Sequence, residues 1–305
     1  MTDLPRSRAL VQLDGPGHIL PIEPVTPEGS TAWRIVHLPL VLVLVALGLF
    51  ALAGIATGML SHGFAQVSAF PGARLVATAL SAALVLAIYW VFVRLVERRR
   101  DIVELGGDGW LVASGIAYAS GLLLTGAIFA LLLVLGGLGI GIVTAPRDIV
   151  WLSVSSLSSA VIQEIILRGL FFRLVERLLG SWIALAASAA LLWIGYAVMG
   201  GGSALAALGF VLKTGLLLAA LYMVTRRLWA AVGLHAACSL AQIVLLGMTI
   251  PGAALGKPDW LTGGRFGPDA ALPAIFVYAA VVVALLAVAV RRGRIVRPIW
   301  RQRRR

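Results

Sequence analysis

The stretch that decides the fold is VIQEIILRGLFF, Val161–Phe172, where a carboxylate, Glu164, lies inside an apolar run and Arg168 follows four residues later. Elsewhere the long apolar runs carry almost no charge, and the charges collect in the gaps between them. A helix needs about 20 apolar residues to cross the hydrocarbon core. An ionisable group at that depth costs roughly 3 kcal/mol or more, so each one marks a candidate functional site.

Outward from Glu164 the chain keeps this character. Of 305 residues, 60% are hydrophobic and 12% charged, with a mean hydropathy of +0.99; average proteins carry roughly 25% charged residues. An ordinary soluble domain is excluded. The pattern predicts an all-α, polytopic membrane bundle of about eight transmembrane helices, near residues 35–60, 75–96, 112–143, 149–172, 182–199, 204–224, 228–249 and 271–290. Gly and Pro punctuate the gaps, as in AFPGAR and MGGGS. Residues 1–31 read as a polar amino-terminal segment without the features of a cleavable signal, 32–291 as one transmembrane domain, and 292–305 as a basic tail. No internal repeat stands out, which argues against a small transporter built from inverted halves.

The net charge of +12 does not point to nucleic acid, because its placement is topological. Arg74, Arg147, Lys257 and Arg265 fall in one set of gaps and Lys213 inside a span; the other 20 of the 25 Lys and Arg fall at the alternate ends. By the positive-inside rule both termini are cytoplasmic. The tail reads as a topology determinant that meets anionic headgroups of the lipid bilayer. Arg in place of Lys, with abundant Ala, Leu and Gly, suggests a GC-rich bacterial genome and hence a bacterial cytoplasmic membrane. Cys238 is the single cysteine, so no intrachain disulfide can form.

Within the spans ionisable residues are few, and Glu164, Lys213 and His235 are the clearest. Counted from the same boundary they lie roughly 10–17 Å deep, a shared layer that suggests one cavity. Glu164 is the one acid expected inside a span. Glu164 and Arg168 have the i,i+4 spacing that brings side chains together, and a structural ion pair is the plain reading of them alone. His235 alone reads as a satisfied core histidine. Ser156, Ser159 and Gln163 share a helix face, where small hydroxyl residues favour helix packing.

Taken in order, these residues resemble the CPBP family, the CAAX-protease and bacteriocin-processing membrane proteins, also called Abi. That family's first motif, E-E-x-x-x-R, is matched by Gln163-Glu164-Ile165-Ile166-Leu167-Arg168, followed by Gly169. Its second motif, an aromatic, three residues and a histidine, falls on AALLWIGYAVMG, with Trp193 at the aromatic and Ala197 at the histidine position. Its third, H-x-x-x-N or H-x-x-x-D, falls on LWAAVGLHAACSL, with His235 and Ser239. Upstream, RRRDIVELGGDGW is similar to the family's basic segment before an E-L-G turn, so the resemblance covers about residues 98–245.

The resemblance implies an intramembrane endopeptidase acting on membrane-anchored or prenylated peptides, with Glu164, Arg168, His235 and Ser239 as its catalytic set. Two departures count against hydrolysis. Gln163 stands where the family has its first glutamate, and an amide cannot accept a proton as a general base. Ala197 removes the second histidine. A catalytic zinc, as the intact family site could hold, wants three protein ligands plus water. Glu164 and His235 supply two, and Cys238 reads as packing, so zinc is not expected. The alternatives are an impaired endopeptidase and a non-catalytic pseudoprotease that binds a membrane peptide or gives bacteriocin self-immunity. Lys213 is expected to pair with Glu164, which would make Lys213→Met more damaging than Arg168→Met.

Overall fold

The computed structural model describes Gly48 and residues 72–298, apart from 98, 100, 107–108, 142–148, 199 and 252–254. The polar amino-terminal segment, the expected span at 35–60 apart from Gly48 and the end of the basic tail lie outside the described residues, as do His18, His37 and His62. Among the described residues seven helices are long and apolar enough to cross a membrane. We call them α1 (Ala73–Val96), α2 (Trp110–Val134), α3 (Ile149–Leu179), α4 (Ser181–Val198), α5 (Ala204–Thr225), α6 (Leu228–Gly247) and α7 (Leu272–Arg291). They alternate in direction, so the arginines at the ends of α1, α3, α5 and α7 share one face of the bundle, here called the basic end.

Two boundaries depart from the sequence reading for physical reasons. The helix expected to run to residue 143 stops at Val134, because Gly136 takes a left-handed turn (φ 72°). The chain then forms strand β1 (Leu138–Ile140), antiparallel to β2 (Thr249–Pro251), with Gly139 opposite Ile250. In the other direction α3 continues past residue 172 to Leu179, because Arg173 and Glu176 find buried partners there. α3 and α5 each relax into π geometry midway, over Ile165–Phe172 and Val211–Leu217. Such wide turns concentrate at functional sites.

Hydrocarbon offers no hydrophobic drive between helices, so close packing has to hold them. α2 and α6 meet over glycine. A Cβ on Gly121 would lie 2.7 Å from the Leu234 carbonyl oxygen and 2.8 Å from the Ala237 Cβ. One on Gly233 would lie 2.7 Å from the Ser114 carbonyl oxygen. Toward the basic end Tyr89, Phe172, Leu228 and Met223 join one apolar core, and Phe172 meets Tyr222 edge to face at 5.9 Å. Toward the far end Ile128, Leu132, Leu234 and Tyr278 belong to a second.

Below the first core lies a layer of buried ions. Arg173 donates to both oxygens of Glu97 (3.0 and 2.9 Å), and Arg99 to both oxygens of Glu104 (2.9 and 2.8 Å). The Tyr89 hydroxyl donates to Glu104 at 2.5 Å. Arg226 ends α5 in a left-handed conformation (φ 56°), from which its guanidinium reaches Glu176 and the Arg294 carbonyl. Ser181 and Val296 exchange two hydrogen bonds (3.0 and 2.8 Å), fastening the start of the basic tail to the α3–α4 corner.

Two outcomes follow from this packing and this layer. Gly121→Ala should cost about 1–3 kcal/mol by overpacking the α2–α6 contact, whereas Gly126→Ala, with open space at its Cβ position, should be neutral or slightly stabilising; melting in detergent compares them. Burial alone would raise the Glu104 pKa, but Arg173, Arg99 and the Tyr89 hydroxyl together bring it from 4.5 down to about 2. A depressed carboxylate stabilises the fold fully above its unfolded value and loses that contribution as pH falls through the folded value. Stability should therefore drop between pH 4.5 and about 2, and Glu104→Gln should flatten the drop in that window.

Candidate functional site

The centre of the bundle is organised by one carboxylate oxygen. Glu164, on α3, is fully buried, and its Oε1 accepts from Arg168 Nη1 at 3.0 Å and lies 2.8 Å from His235 Nδ1 on α6. An ionised carboxylate only accepts, so Nδ1 is the donor in this contact. The second oxygen, Oε2, is buried with no hydrogen-bond partner among the described residues. The i,i+4 spacing thus does what the sequence suggests, and the Glu164–Arg168 pair closes across one turn.

Arg168 is the largest fully buried side chain among the described residues, at 1% exposure. Its Nη2 donates to the Gly215 carbonyl at 2.9 Å and to the Thr214 carbonyl. Both carbonyls lie in the π turn of α5, facing the π turn of α3 that holds Arg168. On its α4 side Gly215 admits a close neighbour, since a Cβ there would meet Leu192 at 3.2 Å. The arginine is thereby satisfied by backbone as well as by charge and does not snorkel.

Gln163, one residue earlier, points about 100° away around the helix and is half-buried, with no side-chain hydrogen bond among the described residues. Trp193 and Ala197 lie at exposed positions of α4 and form no hydrogen bond with Glu164 or His235. Ser239 is half-buried one turn after His235, and no bond joins the two. The Ser156 hydroxyl is buried with no partner among the described residues. Among the described residues no three His, Cys, Asp or Glu side chains gather as a metal site. Cys238 is turned to the Gly121 carbonyl at 3.6 Å. Glu164 and His235 alone therefore do not fit a catalytic zinc, which needs a third protein ligand.

One expectation is corrected. Lys213 does not pair with Glu164. Its Nζ donates to Asp269 Oδ2 at 2.7 Å and to Gln242 Oε1 at 2.5 Å, and Tyr278 donates to the other Asp269 oxygen at 2.6 Å. The reason is the connection before α7. It folds into a short 3-10 turn, Pro268–Ala270, that brings Asp269 back against the bundle. Arg168 already neutralises Glu164, so the lysine reaches the other way. Glu164 and Lys213 therefore belong to two separate polar clusters, although Lys213 sits in the same π turn as Thr214 and Gly215. Sequence reasoning assigned Asp269 to a loop and overlooked it; its place immediately before a span was the available signal.

Fold and geometry together define a multi-pass membrane protein with a buried Glu–Arg–His site among its spans. Residues 144–241 match the family model described as type II CAAX prenyl endopeptidase Rce1-like, which bears out the CPBP resemblance over that stretch. The matched stretch includes Glu164, Arg168, Trp193, Ala197, Lys213, His235 and Ser239. No curated protein and no solved structure matches the chain.

The pairings reverse the order of damage expected from sequence. Arg168→Met leaves a fully buried carboxylate without its guanidinium and should cost about 3–5 kcal/mol. Lys213→Met should cost less, because the Asp269 side chain it abandons is 25% exposed and keeps Tyr278. Melting curves of the two variants in one detergent give the comparison; a larger loss for Lys213→Met would refute it.

Proposed function

We propose that this protein is an endopeptidase-like membrane protein that takes membrane-anchored or prenylated peptides at the basic end, with catalysis impaired. The observation that carries this reading is the state of Glu164. Its Oε1 is committed to both Arg168 and His235, and the motif positions that would supply a second acid and a second histidine hold Gln163 and Ala197. A water at this site would meet a carboxylate already neutralised by an ion pair, which is a weak base. Ser239 could serve at most as a hydrogen-bond donor, since the one acid beside His235 is already held by Arg168. The basic end faces the cytoplasm on the positive-inside rule, so the peptides would come from that leaflet.

One observation favours the binding-only version, a pseudoprotease or an immunity protein. Among the described residues Glu164 Oε2 is a buried acceptor without a donor, and burying such a group unsatisfied costs about 1–3 kcal/mol. The backbone N–H of an extended peptide would satisfy it.

Quenched fluorescent peptides, prenylated and unprenylated, offered to the purified protein in liposomes test the reading. Wild type should cleave neither, while the Gln163→Glu, Ala197→His double variant should gain cleavage of the prenylated peptide. Cleavage by wild type that disappears in Glu164→Ala would show a working protease with a rearranged site and end the impaired reading.

A further inference from the structure

Glu164 and His235 stand on different helices, so their 2.8 Å contact requires α3 and α6 to keep a fixed separation and register. The helices are tied together through one loop residue outside the spans. The Glu104 carboxylate meets α3 through two side chains, Tyr89 and Arg173. Tyr89, which donates to Glu104 at 2.5 Å, also contacts the Gly169 carbonyl at 3.2 Å. Arg173, whose Nε lies 3.6 Å from Glu104, donates from that same nitrogen to the Gly169 carbonyl at 2.7 Å. Gly169 follows Arg168 in the π turn, and a Cβ at Gly169 would meet the Tyr89 ring at 3.2 Å. The backbone carbonyl of Glu104, in turn, accepts from the Leu228 amide at the first turn of α6 (2.9 Å). Next to it the Trp229 indole donates to the Leu105 carbonyl at 2.9 Å. One residue therefore grips α3 by its side chain and α6 by its backbone.

We infer that Glu104 is a positioning residue for the Glu164–His235 pair. It touches neither partner. It fixes the Gly169 end of the α3 π turn, and with it Arg168, relative to the start of α6, seven residues before His235. A buried ion cluster built only for stability would be free to attach to any helix. This one converges on the carbonyl beside Arg168. Glu176, in the same layer, makes the contrast: it binds Arg226 and Ser181 and has no bond to Gly169. The inference rests on the reading that Glu164 and His235 form the functional pair, but not on any catalytic activity.

The experiment uses the full chain in detergent micelles with His18, His37 and His62 changed to Gln, leaving His235 as the single histidine. Side-chain nitrogen NMR then reads whether Nδ1 is hydrogen-bonded to a carboxylate, and at what pH the ring titrates. Glu104→Ala should lose the bonded Nδ1 signal and shift the titration midpoint. Glu104→Gln keeps the side-chain shape and an acceptor for Tyr89, so it reports if the alanine variant fails to fold; with both arginines loosened it should shift the same two readings. Glu176→Gln should lower the melting temperature and leave both readings as in wild type. Glu104 variants that melt earlier with an unchanged His235 signal would overturn the positioning role and leave a purely structural one. A wild type without the bonded signal would instead reject the Glu164–His235 pair itself, and the inference with it.

Discussion

A carboxylate among membrane helices must receive its counter-charge from the protein, because hydrocarbon supplies none. Glu164 obtains it from Arg168 one turn away, and Arg168 then needs acceptors for its remaining N–H groups. Carbonyls in a regular helix are already engaged along the helix. The wide turn of α5 presents those of Thr214 and Gly215 across the interface. A chain of requirements runs from one acid through a guanidinium to the geometry of a second helix, and α4 then packs its Leu192 against Gly215. Removing one member of such a pair is far more costly than never having had it, since the partner remains as a bare buried charge.

The other buried charges obey the same rule at other depths. Lys213 is matched by Asp269, Arg226 by Glu176, and Arg99 and Arg173 by Glu104 and Glu97. What differs is the exposure of the acid. Asp269 keeps a quarter of its side chain accessible, whereas Glu97, Glu104 and Glu176 are nearly closed off. The first cluster pins a connection at the far end; the second forms a solid layer at the basic end, on which the site-bearing helices stand.

Much of this was legible in the sequence. Apolar runs separated by arginine-rich gaps gave the seven described spans to within a few residues, the ends of α2 and α3 apart, because span length is set by the bilayer and not by neighbours. The Glu164–Arg168 pair was legible because it is local, fixed by helix periodicity. The motif order around Gln163, Glu164, His235 and Ser239 pointed to the family that the match over residues 144–241 supports. The partner of Lys213 was not legible. Asp269 is 56 residues away and reaches the lysine only because a short turn folds back. The end of α2 was missed because β1 exists only by pairing with β2, more than a hundred residues later.

The division has a physical cause. Sequence by itself determined what hydrocarbon dictates to every segment separately: which stretches cross, which end is basic, and which single acid would be stranded without a neighbour one turn away. Tertiary structure decided which charges meet between helices, since that depends on register and on how close two backbones can come. Gly121 and Gly233 set the approach of α2 to α6, and the π turns of α3 and α5 open the carbonyls that hold Arg168. The meeting of Glu164 with His235, 71 residues apart, is a product of that packing.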